Sequence, residues 1–101
     1  MDAEETIYVA AKPPAVYANA VLVAFRKNGA RVVEVQGLGQ QCGKVLAIAK
    51  MLHDLCLANI LDIQSFAMED GTSGVRVLLE RPEGGIQSLK QERRRVDDRG
   101  Y

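Results

Sequence analysis

Apolar residues recur at helical spacing in two stretches of this chain. Pro14 precedes the first stretch, residues 15–28, and favours a first helical turn because its missing N–H would be unpaired there. Asn28-Gly29 is typical of a helix end. The second stretch covers about residues 41–57, and each stretch predicts an amphipathic helix with one buried face. The predicted buried residues are Tyr17, Ala20, Val21, Ala24 and Phe25 in the first helix, and Val45, Leu46, Ile48, Ala49, Leu52 and Cys56 in the second.

Outside the helices, apolar and polar residues alternate as they do in strands that bury one face. Pro13 stops the first run, since proline cannot continue a central strand. The glycines of Gly37-Leu38-Gly39 break the chain after the second run. Residues 69–74 form a turn between the last two runs, which predicts a hairpin. The predicted strands are residues 6–11, 31–35, 59–68 and 75–80.

The predicted elements follow the order β-α-β-α-β-β. This order predicts an α+β sandwich, in which a mixed four-stranded sheet carries both helices on one face. A chain of 101 residues, 48% of them hydrophobic, has room for one core and one domain. We place that domain at residues 1–81. We expect residues 82–101, which open with Pro82-Glu83-Gly84-Gly85, to be a flexible basic tail rich in arginine.

Composition excludes several classes of protein. Lys+Arg and Asp+Glu are 13 each, so the net charge is zero, unlike that of a histone-like polycation. Two cysteines and one histidine are too few for a disulfide framework or a zinc site, so we predict no metal and no cofactor. No apolar run reaches the roughly 18 residues of a membrane span, and the acidic start does not resemble a signal peptide. We expect a soluble protein of a reducing compartment without a membrane partner.

Catalytic groups are sparse. Cys56 follows His53 by three residues, but it lies on the predicted apolar stripe, where a cysteine usually acts as a small buried hydrophobe. Glu69 and Asp70 lie in the predicted hairpin turn, where acidic residues are ordinary turn formers. General acid–base catalysis needs a cleft and a second group, and the sequence shows neither. We therefore predict no catalytic residue and no enzyme.

The candidate binding residues lie in the two predicted strand-to-helix connections. Glycines before a helix allow backbone N–H groups to approach an anion, and Lys44 follows in the first turn. The first connection contributes Lys12. Because both connections leave parallel strands at the same end, these residues can share one edge suited to a phosphate backbone. The candidates are Lys12, Gly37, Gly39, Gln40, Gln41 and Lys44.

A simpler interpretation of these residues stays open. The glycines do not form a G-x-G-x-x-G or a Walker A motif, and glycines that simply turn the chain are commoner. Two surface lysines, taken alone, are more often solvated charge than a binding site.

Longer motifs around these residues resemble the Alba superfamily. The β-α-β-α-β-β order agrees with it, and the resemblance covers roughly residues 6–81. The glycine-rich stretch is more similar to the eukaryotic branches than to the archaeal chromatin proteins. Those branches include the small Alba subunits of ribonuclease P and MRP and cytoplasmic Alba-domain RNA binders. The motifs are Lys12-Pro13 after a strand, Tyr17-Ala18-Asn19 in a helix, and Val35-Gln36-Gly37-Leu38-Gly39 followed by Lys44 and a long apolar helix.

The resemblance implies a fold similar to the C-terminal domain of bacterial translation initiation factor three. It implies a homodimer, or a heterodimer with another Alba-domain protein, that binds RNA or DNA without catalysis. The chain departs from the family pattern where a Lys-Lys pair often precedes the first helix, because Ala11-Lys12 stands there. The archaeal Arg-Gly-Arg of the second loop is Leu38-Gly39-Gln40 here, while the following lysine is kept as Lys44. The short hairpin with its two acidic residues disfavours wrapping of a DNA minor groove.

The arginines near the end of the chain add a second candidate contact. Arg93-Arg94-Arg95 and Arg99-Gly100-Tyr101 resemble the approach to an RGG-type extension, a segment common after eukaryotic Alba domains. Such segments bind RNA through charge and arginine stacking. A solvated tail that keeps the protein soluble is an equal alternative, because acidic residues lie among the arginines.

Three functions compete on this basis. The first is an RNA binder of messenger ribonucleoproteins that acts in translation regulation. For it we expect RNA as the main ligand with DNA as an alternative, and a cytoplasmic location with the nucleus as an additional one. The second is a heterodimer partner in an RNA-processing ribonucleoprotein similar to ribonuclease P or MRP. For that role Val16, Leu22 and Val23, off the core stripe, are candidate interface residues or scattered surface apolar residues. A DNA-packaging protein ranks third because the net charge is zero.

Overall fold

Proline and glycine set the limits of the main elements in the computed structural model, which describes residues 3–82. Pro14 is the first residue of the first helix, as predicted. Gly39, with a φ of +57°, ends the second strand in a conformation that favours glycine. The elements are β1 (Glu5–Tyr8), α1 (Pro14–Arg26), β2 (Val32–Leu38), a 3-10 turn (Gly39–Gln41), α2 (Cys42–Asp54), β3 (Asn59–Ala67) and β4 (Ser73–Glu80).

The four strands form one mixed sheet in the order β1-β2-β4-β3. β1 and β2 are parallel, and the other two pairings are antiparallel. Both helices pack on one face of the sheet and against each other. The predicted α+β sandwich and its element order are confirmed.

The core lies between the helices and that face of the sheet. β2 contributes alternate valines because successive side chains of a strand point to opposite faces. Each helix contributes the apolar stripe that its sequence period defines. The largest fully buried side chains are Phe25, Ile48, Leu52, Leu79, Val21, Val33, Val35, Val45 and Val77.

Several details of the predicted elements were wrong. β1 ends at Tyr8 and not at residue 11. Gly37 and Leu38 do not break the chain but complete β2, and the break comes at Gly39. In α1, Ala18 is buried and Ala20 only half-buried. In α2, Leu46 is 42% exposed, because the helix meets the sheet along a narrower stripe than predicted.

Cys56 also departs from prediction, because α2 ends before it. The Leu57 N–H donates to the Leu52 carbonyl at 2.8 Å, and the Cys56 N–H donates to the His53 carbonyl at 2.9 Å. This closure turns the chain and leaves Cys56 exposed with a φ of +61°. Cys56 is therefore a helix-end residue and not part of the buried stripe.

Within residues 3–82, no helix is long and apolar enough to cross a membrane. In the same residues, no three His, Cys, Asp or Glu side chains group closely enough to hold a metal ion. The predicted tail after Pro82 lies outside the described residues.

Candidate nucleic-acid interface

Two strand-to-helix connections meet at one end of the sheet. We call this end the loop edge and define it as residues 9–13, residues 39–41 and Lys44. The Lys44 ammonium donates hydrogen bonds to the Ala10 carbonyl at 2.7 Å and to the Lys12 carbonyl at 2.8 Å. One side chain from α2 thus fixes the connection that leads into α1. The structure therefore brings the two predicted lysines together.

Lys44 links the two connections through these two hydrogen bonds, and we call this link the tie. An ammonium has three donor protons, and two of them are taken by the carbonyl groups. The nitrogen also lies 6.0 Å from the centroid of the Tyr17 ring, within range of a cation–π contact. The remaining proton and the positive charge stay at the half-buried surface of the edge, where they can meet an anion.

The Tyr17 hydroxyl holds the connection before α1 from the side of the core. It accepts hydrogen bonds from the Ala10 N–H at 2.9 Å and from the Lys12 N–H at 3.1 Å. The side chain is otherwise buried, as the apolar period predicts. The helical spacing of apolar residues did not indicate that the Tyr17 hydroxyl holds the connection before α1. Only the chemistry of tyrosine indicated a contact of this kind, since a buried tyrosine hydroxyl needs a hydrogen-bond partner.

Lys12 is the exposed cation of the loop edge. Its backbone is fixed on both sides, by the Tyr17 hydroxyl at the N–H and by the Lys44 ammonium at the carbonyl. Its side chain makes no hydrogen bond or ion pair within residues 3–82. A charge on a fixed backbone, free of an internal partner, is available to a ligand phosphate.

The predicted glycines have different environments. A Cβ atom on Gly37 would lie 2.7 Å from Cγ2 of Val45 and 3.2 Å from Cβ of Gln41, so the absent side chain lets α2 approach β2. Gly37 is buried in the strand, beneath the surface that a ligand would reach. Gly39 and Gln40 are exposed at the turn, and Gln41 is half-buried.

Comparison with known proteins identifies this architecture. No protein-family model and no curated protein matches the chain. The crystal structure of ALBA1 from Trypanosoma brucei matches it with a TM-score of 0.75 and 12% identity, covering 93% of this chain and 84% of that chain. Alba from Thermoplasma volcanium matches with a TM-score of 0.59 and 25% identity, covering 75% of this chain and 99% of that chain. The chain belongs to the Alba superfamily.

The β3–β4 hairpin of this Alba domain places negative charge at the same end of the sheet as the loop edge. The turn is closed by the Met68 N–H donating to the Thr72 carbonyl at 2.8 Å. Hydrogen bonds from Thr72, first from its backbone N–H, hold the pKa of Asp70 below its ordinary value of 3.8. Asp70 and its exposed neighbour Glu69 therefore face solvent at the tip of a short hairpin.

Arg93, Arg94 and Arg95, the remaining predicted contacts of this Alba-domain chain, lie outside the described residues. Another arginine, Arg76, was not singled out by the sequence. Its guanidinium carbon lies 5.1 Å from the centroid of the Phe66 ring, on the face of the sheet that carries no helix. Strand register, rather than any motif, brings these two side chains together.

Proposed function

We propose that this Alba-domain protein binds RNA, with its loop edge against the phosphate backbone. The observation that carries the proposal is the tie made by Lys44. It fixes two strand-to-helix connections so that exposed Lys12 and the polar turn at Gln40 lie at one end of the sheet. Donors on a rigid backbone suit phosphate contacts, which position a nucleic acid without reading its sequence.

Two features favour RNA over long duplex DNA. The net charge of the chain is zero, so bulk attraction to a densely charged duplex is small. The hairpin tip carries Glu69 and Asp70, which would repel phosphates of a duplex extending past the loop edge. We therefore favour a role in messenger ribonucleoproteins, with a dimer doubling the few contacts that each protomer offers.

The test compares one lysine at the loop edge with one at the opposite end. Binding of the full chain to single-stranded RNA and to duplex DNA is measured by fluorescence anisotropy at several salt concentrations. Lys12→Ala should weaken RNA binding and lower the magnitude of the salt slope by about 0.7 for each lost single-strand phosphate contact. Lys27→Ala removes the same charge at the exposed end of α1 and should leave binding unchanged.

Equal effects of Lys12→Ala and Lys27→Ala would contradict the proposal, because they would show a diffuse charge effect. Lys44→Gln adds a second measurement. It removes the charge and keeps one amide donor for the carbonyl groups, so it should weaken binding while thermal unfolding reports any loosening of the edge.

A heterodimer partner is the second candidate function, and exposed apolar side chains favour it. Ile63 on β3 is 51% exposed, and Val16 on α1 is 45% exposed. Val23 is exposed as well, whereas Leu22 packs partly against the core. Analytical ultracentrifugation of the chain alone separates the two candidates. A stable homodimer that binds RNA supports the first, and a weakly associating chain that binds RNA only with a second Alba-domain protein supports the second.

A further inference from the structure

The face of the sheet opposite the helices carries an aromatic and polar surface at its loop-edge end. Register aligns Tyr8 with Gln36, Gln36 with Arg76, and Arg76 with Gln64, so one row crosses all four strands. The neighbouring residues Ile7, Val35 and Val77 belong to the core, so the alternation of side chains directs this row away from the helices. We call the following set the platform: Tyr8, Gln36, Leu38, Gln64, Phe66 and Arg76.

The Phe66 ring lies over a glycine on the neighbouring strand. Gly74 is its register partner, and a Cβ atom at Gly74 would overlap the end of the Phe66 ring. The ring therefore occupies the space that a side chain at Gly74 would fill. This arrangement keeps an aromatic surface fixed on the sheet, beside the Arg76 guanidinium.

Arg76 is held but not fully paired. Its guanidinium carbon lies 5.1 Å from the Phe66 ring centroid. Its Nε atom is buried and has no hydrogen-bond partner within residues 3–82. A planar cation beside a ring presents a stacking surface to a ligand. The buried Nε atom shows only that the guanidinium is not fixed at that position by an internal hydrogen bond of the described residues.

Tyr8 supplies an aromatic ring at the other side of the platform. It is 70% exposed on the edge strand β1, the largest exposed fraction among the exposed large hydrophobic residues of the described chain. With strands about 4.8 Å apart, Tyr8 and Arg76 lie about 10 Å from each other across the sheet. That spacing leaves room for separate bases, and the side-chain amides of Gln36 and Gln64 lie between and beside them.

On the strands themselves, the acidic residues of this face lie in rows away from the loop edge, whereas Glu69 and Asp70 lie beyond the strands at the hairpin tip. Glu34 and Asp62 occupy the next row away from the loop edge, and Glu80 lies further still. The platform row itself contains one ionisable cation, Arg76, and no acid. Tyr8 and Leu38 also lead directly into the two connections of the loop edge. The platform is therefore within reach of the bases of a strand whose phosphates contact that edge.

We infer that the platform stacks and hydrogen-bonds the bases of single-stranded RNA whose phosphates lie along the loop edge. The inference rests on the proposed function and extends it from backbone contact to base contact. Aromatic rings and arginine planes stack on exposed bases of any identity, and amide groups pair with base edges. In a duplex those base faces are already stacked, so the platform selects single strands.

The experiment separates base contact from phosphate contact by changing both the ligand and the protein. The full chain is titrated against a short single-stranded RNA, the same strand in a duplex, and an abasic oligonucleotide of the same length. Tyr8→Ala should weaken single-stranded RNA binding at least about five-fold, the low end of the loss of one stacked base. It should leave abasic binding and the salt slope unchanged, whereas Lys12→Ala should change both.

Matched variants test the chemistry of the platform. Tyr8→Phe keeps the ring and should retain the affinity, and Arg76→Lys keeps the charge but loses the planar group and should weaken only base-containing ligands. Leu55→Ala, at an exposed apolar residue after α2, should bind as the unchanged chain does. Circular dichroism of each variant confirms that the fold is retained.

The outcomes are distinguishable. If Tyr8→Ala and Arg76→Lys bind RNA as tightly as the unchanged chain while Lys12→Ala binds weakly, the platform inference is overturned and the proposed function stands. If the unchanged chain binds no RNA, both are overturned. If the platform variants alter sedimentation and not RNA affinity, the face contacts protein, and the inference is again overturned.

Discussion

The two ends of the sheet are held by charged side chains of opposite sign. At the loop edge, the Lys44 ammonium donates to two backbone carbonyl groups. At the opposite end, the Glu4 carboxylate accepts hydrogen bonds from the Arg31 N–H at 2.6 Å and from the Val32 N–H at 2.9 Å. Each tie joins segments that are far apart in the sequence. The local architecture is therefore similar, and the sign of the charge differs.

The sign of the charge decides whether each end of the sheet can bind a phosphate. Lys44 retains a donor proton and lies beside exposed Lys12, so the loop edge can meet a phosphate. The Glu4 charge is already directed at backbone N–H groups and is partly offset by Arg31 and Arg81. The same kind of tie thus supports a candidate binding edge at one end and purely structural closure at the other.

The largest expected change in the free energy of unfolding comes from adding a side chain where β2 and α2 pack closely, beneath the loop edge. Gly37→Ala would force its Cβ against Val45 and Gln41, and overpacking of this kind costs about 1–3 kcal/mol. Urea unfolding monitored by circular dichroism measures the loss. Gly43→Ala is the control, since a Cβ there meets nothing within 4 Å and alanine favours a helix by up to about 1 kcal/mol. Equal losses in the two variants would refute the packing argument.

A smaller effect is expected from removing one oxygen at the loop edge. Tyr17→Phe leaves the Ala10 and Lys12 N–H groups without their acceptor, which costs about 1 kcal/mol in the free energy of unfolding. For a domain of this size the melting temperature should fall by about 4–8 °C. Tyr8→Phe removes the same atom from an exposed ring and should leave the melting temperature unchanged. An unchanged melting temperature for Tyr17→Phe would show that the loop does not depend on the hydroxyl.

The smallest effect concerns the opposite end and depends on pH. Backbone N–H groups of Val32 and Arg31 lower the pKa of Glu4 from its ordinary value of 4.5. A lowered pKa in the folded state contributes stability above that ordinary value, and this contribution disappears as the pH falls through the folded-state pKa. Glu4→Gln should therefore be less stable than the unchanged chain at neutral pH, and the difference should vanish in acid.

Urea midpoints at neutral pH and well below pH 4.5 measure this difference. Glu69→Gln is the matched control, because Glu69 is exposed in the hairpin turn and makes no hydrogen bond within residues 3–82. A stability difference for Glu4→Gln that persists in acid would mean that the carboxylate charge is not what closes this end.

The fold class was predictable because it depends on the spacing of apolar residues and on the prolines and glycines at the ends of the elements. The valines of β2 and the stripe through Phe25 and Leu52 are spaced to bury one face, and Pro14 sets the start of α1 without help from distant residues. One error came from a local helix end, which exposes Cys56. Another occurred where a distant contact decides. Gly37 was predicted as a chain break, but pairing with Val75 of β4 makes it a strand residue, and its missing side chain lets Val45 pack closely against it.

The candidate site was predictable only in part. The positions of Lys12 and Lys44 at one edge follow from the parallel pairing of β1 and β2, which the element order already implied. The use of two Lys44 protons by backbone carbonyls did not follow, and neither did the loop-holding hydroxyl of Tyr17. Those contacts depend on where α2 settles against the first connection.

By itself, the sequence determined the element types, their order and the apolar faces, because these depend on residues within a few positions of each other. It also determined the charge available to a ligand. Only the tertiary structure decided that Lys44 links two connections and that Gly37 lets α2 pack closely against β2. It also placed Tyr8, Phe66 and Arg76 on the same face of the sheet. The physical reason is that hydrogen bonds, close packing and strand register are set by residues distant in the chain, and no local pattern encodes their distances.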